Sequence, residues 1–358
     1  MQTNSQYCCK YCLRQGRGDR TGMTEQDGLG KVNWQRRQLL KLGLGVGLGI
    51  TGAAIAFKNF WKTDSGLMVH VPPMGKDTWK GDLATNPMHV LRDFDYGTVK
   101  QIDGRTVREF RVEAKTTPIQ LNSATSFITW NLNGRVPGPT LRAKQGDRIR
   151  VIFYNQAGHA HSLHFHGVHP AEMDGIRPIR NSGVMIYEFD AEPYGVHLYH
   201  CHVSPVTRHI GKGLYGMFII DPPEPRPPAD EMVLIMAGYD TNDDRRNELY
   251  AFNGIPNYYM DHPILIQQDQ LIRLYVLNMI EFDAAATFHL HANLFQVYPT
   301  GHTLTPAYAT DVITMGTAER HILEFSFRYP GKFMFHPHQD VIAESGCMGW
   351  FQVIPKNT

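Results

Sequence analysis

The tripeptide His-x-His occurs four times in this chain, as His164/His166 in "HSLHFHG", His200/His202 in "YHCH", His289/His291 in "FHLHANLF" and His336/His338 in "FHPHQD". On a β-strand, residues i and i+2 point to the same face. Each pair can therefore deliver two imidazoles to one site, provided the backbone is extended at all four places. One such pair is a weak signal. Four of them, two in each half of the chain, constrain the fold as well as the chemistry.

The halves also resemble each other around these pairs. "NGRVPGPTLRAKQGDRIRVIFYN" at 133–155 parallels "NGIPNYYMDHPILIQQDQLIRLYVLN" at 253–278, and each is followed by one His-x-His and later by a second. The other apolar runs, such as "TVREFRVEAKTTPIQL", "ATSFITWNLNG", "EMVLIMAGY" and "RHILEFSF", are short, alternate, and end at Gly, Pro or Asn. That pattern reads as all-β, and no long run beyond residue 57 carries a helical period. Two copies of one β-sandwich unit are expected, at 106–222 and 232–358. The Pro-rich segment 223–231 forms a semi-rigid linker between them. Residues 58–105 read as an irregular extension.

Residues 1–57 read as a leader. Arg36-Arg37 precede a Gly-rich apolar run from about Leu39 to Phe57, with a small-x-small cleavage site at Ala54-Ile55-Ala56. This resembles a twin-arginine export signal. It implies a periplasmic or extracellular protein, with membrane contact only if the leader stays uncleaved as an anchor. Cys8, Cys9 and Cys12 lie ahead of it, as part of an irregular leader or as a metal-binding or modified cluster. Cleavage would leave Cys201 and Cys347, too few for a disulfide framework. With a net charge of +1 and no basic run, a nucleic-acid partner is not expected.

Imidazole suits copper, zinc, iron and nickel. Eight paired histidines exceed the four ligands of one tetrahedral zinc and fit a cluster of several ions. Cys201, between His200 and His202, would face the other side of its strand. The segment therefore asks for two metal sites back to back. One thiolate with two imidazoles and a weak axial group is the blue-copper set. His161 upstream and His209 downstream complete it. Leu214 takes the axial position if the loop is spaced as in known blue-copper loops, and Met217 is the alternative. A leucine there cannot coordinate, which favours Cu(I) and raises the potential.

Taken together, "HSLHFHG", "YHCHVSP…RHIGKGLYG", "FHLHANLF" and "GKFMFHPH" resemble the four copper motifs of multicopper oxidases, over about 115 to 355. The last motif departs from a typical three-domain laccase, because Pro337 stands where the thiol would be. Ala286 stands where a thiol site would want histidine, and no histidine follows in "QDVIAESGCMG". Cys347 then reads as a buried small apolar residue. The chain thus resembles two-domain, laccase-like oxidases with the type 1 copper in the first domain.

The resemblance implies two cupredoxin-like Greek-key β-sandwich domains and about four coppers per subunit: one type 1, one type 2 and two type 3. It implies one-electron oxidation of phenols, aromatic amines or metal ions, coupled to four-electron reduction of O2 to water. Electrons would pass from the Cys201 site to His200 and His202. It also implies a homotrimer, with His164, His166, His200 and His202 of one chain facing His289, His291, His336 and His338 of its neighbour. Asp174 matches the family's acidic residue and is the expected proton carrier, although it also reads as a turn residue before Gly175. Asp340 and Glu344 are further candidates. His159, His169 and His197 are expected around the ligands or on the surface. Fifteen methionines without a dense run argue against a dedicated cuprous-ion oxidase. A copper nitrite reductase is the rival enzyme, but such reductases carry an aspartate where His164 stands and lack a partner for His202. A non-catalytic copper or electron-transfer protein would leave the eight paired histidines idle.

Overall fold

The strand Arg148–Asn155 shows why this chain is built from sheets. Along "RIRVIFYN" burial alternates residue by residue, with Ile149, Val151, Phe153 and Asn155 inward. Period-two burial is what a strand with one face on a core requires. The structure is a computed structural model that describes residues 85–356. The leader, with Arg36-Arg37, Cys8, Cys9 and Cys12, lies outside the described residues. Among the described residues no helix is long and apolar enough to cross a membrane.

Four sheets follow one another as layers. The outer sheet of the first half contains Thr98–Ile102, Arg105–Gln120, Arg148–Asn155 and Val184–Asp190, with Ser126–Leu132 paired to the second of these. Its inner partner runs Phe94–Asp95, Thr140–Lys144, Tyr215–Asp221, Gly195–His200 and His164–Phe165. Phe110, Val151, Phe153, Phe165, Phe189 and Phe218 fill the space between the two.

The second half repeats the plan. Its inner sheet carries Asp230–Tyr239, Ile272–Asn278, Arg320–Phe325 and Phe295–Pro299, edged by Leu249–Phe252 and Tyr308–Thr310. Its outer sheet runs Ile264–Gln267, Gly349–Ile354, Gly331–His336, Ala285–Leu290 and Val312–Gly316. Leu234, Leu274, Phe288, Phe335 and Phe351 form its core. A third apolar cluster joins the two inner sheets, with Val196, Leu198, Met217 and Ile219 against Val233, Ile235, Tyr275 and Leu277. Burying large apolar side chains at ~1.5–3 kcal/mol each makes that seam rigid rather than hinged.

Two expectations change at the domain edges. Residues 94–102, expected within the irregular extension, form two strands. Phe94–Asp95 pairs in parallel with Thr140–Lys144, and Thr98–Ile102 makes a hairpin with the strand beginning at Arg105. All five residues of Thr98–Ile102 are exposed, so no burial alternation marks them. The turn Asp103-Gly104, with both φ values positive, was the available signal. The linker is also shorter than expected, because the strand Asp230–Tyr239 begins inside it. Arg142 closes the junction, bonding Asp221 at 2.9 Å and Glu231 at 2.6 Å.

Candidate metal centres

The first site hangs from three places in the first half. Asn155, fully buried at a strand end, donates to the carbonyls of His159 (2.6 Å) and Ile179 (2.7 Å). This ties down the loop that carries His161, itself bridged to Ile179 through both backbone groups. Cys201 follows the strand Gly195–His200 and donates its amide to the Leu214 carbonyl at 3.0 Å, so the ladder runs one step past the strand end. His209 faces inward from the short helix Val206–Gly211.

These pieces bring three donor atoms together. Cys201 Sγ lies 3.1 Å from His209 Nδ1 and 3.7 Å from His161 Nδ1, and the two Nδ1 atoms are 3.1 Å apart. All three residues are buried. Burial, with the neighbouring imidazoles, pushes His161 down to about 3. Burial, with His159 and Arg208, pushes His209 down to about 4. Burial pushes the Cys201 thiol up. Neutral imidazoles whose ring nitrogens face each other beside a thiol are poorly satisfied by one another, and a cation at their centre satisfies all three. Two nitrogens and a sulfur, fully desolvated, suit copper better than a hard ion.

The two axial candidates lie in different cores. Leu214 is buried in the same core as Cys201, whereas Met217 packs into the seam between the two inner sheets. The shared core favours Leu214 over Met217 as the residue beside the thiol. Trp130, which the sequence reading did not single out, covers the site. Its ring lies 4.9 Å from the rings of His159 and His209 and 5.5 Å from that of His161. Nothing in its local sequence marks that role. Asn155 had a signal, since both repeats end in Asn and Asn278 holds the corresponding loop through the Met315 carbonyl.

On the other side of the same backbone lie four imidazoles. His166 Nε2 and His200 Nε2 are 2.9 Å apart, and the His164 ring is 5.1 Å from that of His202. His164 Nδ1 donates to the Asp174 carbonyl at 2.8 Å and His200 Nδ1 to the Cys201 carbonyl at 2.9 Å. Both rings therefore carry their lone pair on Nε2, the usual outer-shell arrangement of metal-binding histidines. Burial, with His200, pushes His166 down to about 3, and burial pushes His200 down to about 4.

Asp174 also places its carboxylate 3.1 Å from His164 Nδ1 and 3.5 Å from His169 Nε2. Gly175, at φ +78°, makes this possible, because a Cβ there would strike the Leu163 carbonyl. Asp174 is thus both a turn residue and a partner of a candidate ligand. His197 is buried and bonds the carbonyls of His166 and Pro193, while His159 is exposed and touches Trp130.

The second half repeats this quartet atom for atom. His291 Nε2 and His336 Nε2 are 3.0 Å apart. His289 Nδ1 donates to the Asp311 carbonyl at 2.8 Å and His336 Nδ1 to the Pro337 carbonyl at 2.7 Å. The His338 ring lies 5.4 Å from that of His289. Asp340 and Glu344 stand exposed on a neighbouring helix, and among the described residues neither bonds a histidine. Within one chain the two quartets are separate groups, and among the described residues no ring of one touches a ring of the other.

Among the described residues the thiol site has no second copy. Gly213 and Gly346, both at positive φ, precede Leu214 and Cys347, whose amides bond the carbonyls of His209 (3.2 Å) and Ile342 (3.3 Å). Cys347 therefore occupies the place of Leu214, and Ile342 that of His209. With Ala286 they form part of an apolar core.

Two family models, each described as multicopper oxidase, match residues 113–225 and 225–357. The chain belongs to the multicopper oxidase family. It is thereby a member of a copper-binding oxidoreductase family, and its layers are two cupredoxin-like sandwiches. A crystal structure of a multicopper oxidase is 48% identical, with a TM-score of 0.74, over 75% of this chain and 97% of that one. A copper nitrite reductase from Nitrosomonas europaea superposes with a TM-score of 0.66 at 25% identity, over 69% of this chain and 94% of that one. The copper-containing nitrite reductase of Neisseria gonorrhoeae is 26% identical over 68% of this chain and 67% of its own length.

Proposed function

We propose that this chain is a laccase-like multicopper oxidase that couples one-electron oxidation of a reducing substrate to four-electron reduction of O2. The observation that carries this reading is the matched pair of quartets. Each presents two Nε2 atoms at about 3 Å and a third imidazole fixed by a backbone carbonyl. Eight imidazoles of this geometry exceed what a single catalytic ion uses.

Copper bound here would supply one-electron transfer at the Cys201 site and four-electron reduction of O2 to two waters at the imidazole sites. The protein's own contribution is positional. Cys201 is bonded to His200 and His202 through one peptide unit on each side, and His200 Nδ1 adds a hydrogen bond to the Cys201 carbonyl. The two sites are thus connected twice within a single turn of chain. Asp174, beside His164 and His169, can hold a proton for delivery to reduced oxygen.

Because one chain keeps its quartets apart, the complete set needs a second copy. A ring of three chains, each giving its first quartet to the next chain's second, satisfies every quartet. About four coppers per chain follow from this arrangement. Export through the twin-arginine-like leader fits a protein whose folded sites must be loaded.

Nitrite reduction is the alternative, since two of the three relatives named above are copper nitrite reductases, at 25% and 26% identity. Oxygen uptake by copper-loaded protein with phenols, aromatic amines and ferrous ion, beside nitrite reduction with the same donors, separates the two. About four coppers per chain and oxygen uptake are expected. About two coppers with nitrite turnover would overturn the reading.

A further inference from the structure

The helix Val206–Gly211 turns His209 inward, and its outer face lines a cavity of about 370 Å3. Phe127 and Phe282 form apolar walls, and Arg208, Lys212, Asp243 and Arg245 supply the charges. A volume of this order suits a small organic molecule. Arg208 also stacks over Trp130, 5.9 Å from its centroid, and the Trp130 ring lies 4.9 Å from that of His209. The cavity is therefore one side chain removed from a candidate ligand of the thiol site.

Its charges do not cancel. Asp243 is occupied by Arg208 at 2.8 Å. Asp240, also in the wall, accepts from the amides of Asp244 and Arg245. The Lys212 ammonium sits 4.1 Å from the Phe127 centroid, and among the described residues it forms no ion pair with a carboxylate. Arg245 likewise has no carboxylate partner there. An ammonium held against one aromatic wall without a carboxylate partner, in a cavity that Phe282 also lines, is complementary to an aromatic ring bearing an anion.

Resting on the oxidase reading above, we propose that this cavity is the donor site and that Lys212 selects phenols carrying a carboxylate. Each such donor loses one electron and one proton from its O–H. Four donors and one O2 then give four phenoxyl radicals and two waters.

The test uses the full chain, copper-loaded, as wild type, Lys212→Met and Lys212→Arg. Anisate, a carboxylated ring with no oxidisable O–H, is titrated calorimetrically beside uncharged anisole. Anisate should bind the wild type more tightly than anisole does. Lys212→Met should weaken anisate about tenfold, and Lys212→Arg should restore most of the loss. In turnover, the ratio of kcat/KM for vanillate over guaiacol should fall about tenfold in Lys212→Met. Unchanged anisate binding and an unchanged vanillate-to-guaiacol ratio in Lys212→Met would overturn the assignment, even with both phenols oxidised. Lys212-dependent anisate binding without oxygen uptake would instead sink the oxidase reading and leave the anion site standing.

Discussion

Nε2 of His166 lies 2.9 Å from Nε2 of His200, and neither ring turns that nitrogen toward a backbone carbonyl. Two neutral imidazoles in this pose can share at most one hydrogen. His291 and His336 repeat the arrangement at 3.0 Å. Each pair can share one hydrogen at this distance, and the same geometry would suit two ligands of a common ion, as the proposed function requires.

Removing one member of the second quartet should leave the thiol site untouched. His291→Ala is expected to keep the intense visible band of copper–thiolate, to lower the copper content, and to reduce oxygen uptake by more than about 100-fold, beyond the usual cost of an outer-shell change. Copper analysis, an absorption spectrum and an oxygen electrode check this on one preparation. Loss of the visible band in His291→Ala would contradict the separation of the sites.

Cys201→Ser tests the thiol directly. Serine fills nearly the same volume but buries a hydroxyl where Cys201 is fully enclosed, so the metal-free protein should lose about 1–3 kcal/mol of stability. The visible band and turnover with one-electron donors should both disappear. A Cys201→Ser protein that stayed blue would remove Cys201 from the site.

Leu214 offers a finer probe. Leu214→Met conserves volume, at less than about 1.5 kcal/mol, and places a thioether where a hydrocarbon now packs beside Cys201. An added axial sulfur favours Cu(II), so a redox titration should find a lower potential in the variant. An unchanged potential would mean that the side chain does not face the ion.

Asp174 contacts His164 and His169 rather than the thiol site. Asp174→Asn should cut oxygen uptake by about 10–100-fold and preserve the visible band and its potential. Loss of the band together with activity would make Asp174 a general structural residue.

Glu231 predicts the acid limit of the fold. It bonds Arg142, Arg273 and the Tyr275 hydroxyl at 2.6–3.1 Å, across the start of the second domain. Burial pushes its carboxyl up, but these partners, Arg142 foremost, hold it below the usual carboxylate range. A folded-state value below the unfolded one means stability that is present above about pH 4.5 and lost as pH falls below it. Glu231→Gln should cost about 3 kcal/mol near neutrality and flatten the fall in melting temperature below pH 4.5. Thermal melts from pH 7 to pH 3 read both effects.

The histidine pattern was legible because strand periodicity converts an i, i+2 spacing directly into a shared face. The same rule placed Cys201 opposite its neighbours. It could not see Trp130, whose contact with His209 depends on how a hairpin folds over a helix far along the chain. Nor could it see the strand Thr98–Ile102, which buries nothing and so leaves no alternation. Between Leu214 and Met217 the loop spacing favoured Leu214, and the structure adds that Leu214 shares a core with Cys201 while Met217 packs between the two inner sheets.

The separation of the two quartets within one chain has a consequence for how such a protein is made. On the proposed reading, a freshly folded chain would offer a metal-binding face in each half, yet hold no complete oxygen-reducing centre. If the proposed trimer and oxidase readings hold, dioxygen activation would be switched on by assembly, and a stray subunit would carry no fully armed site that could release half-reduced oxygen.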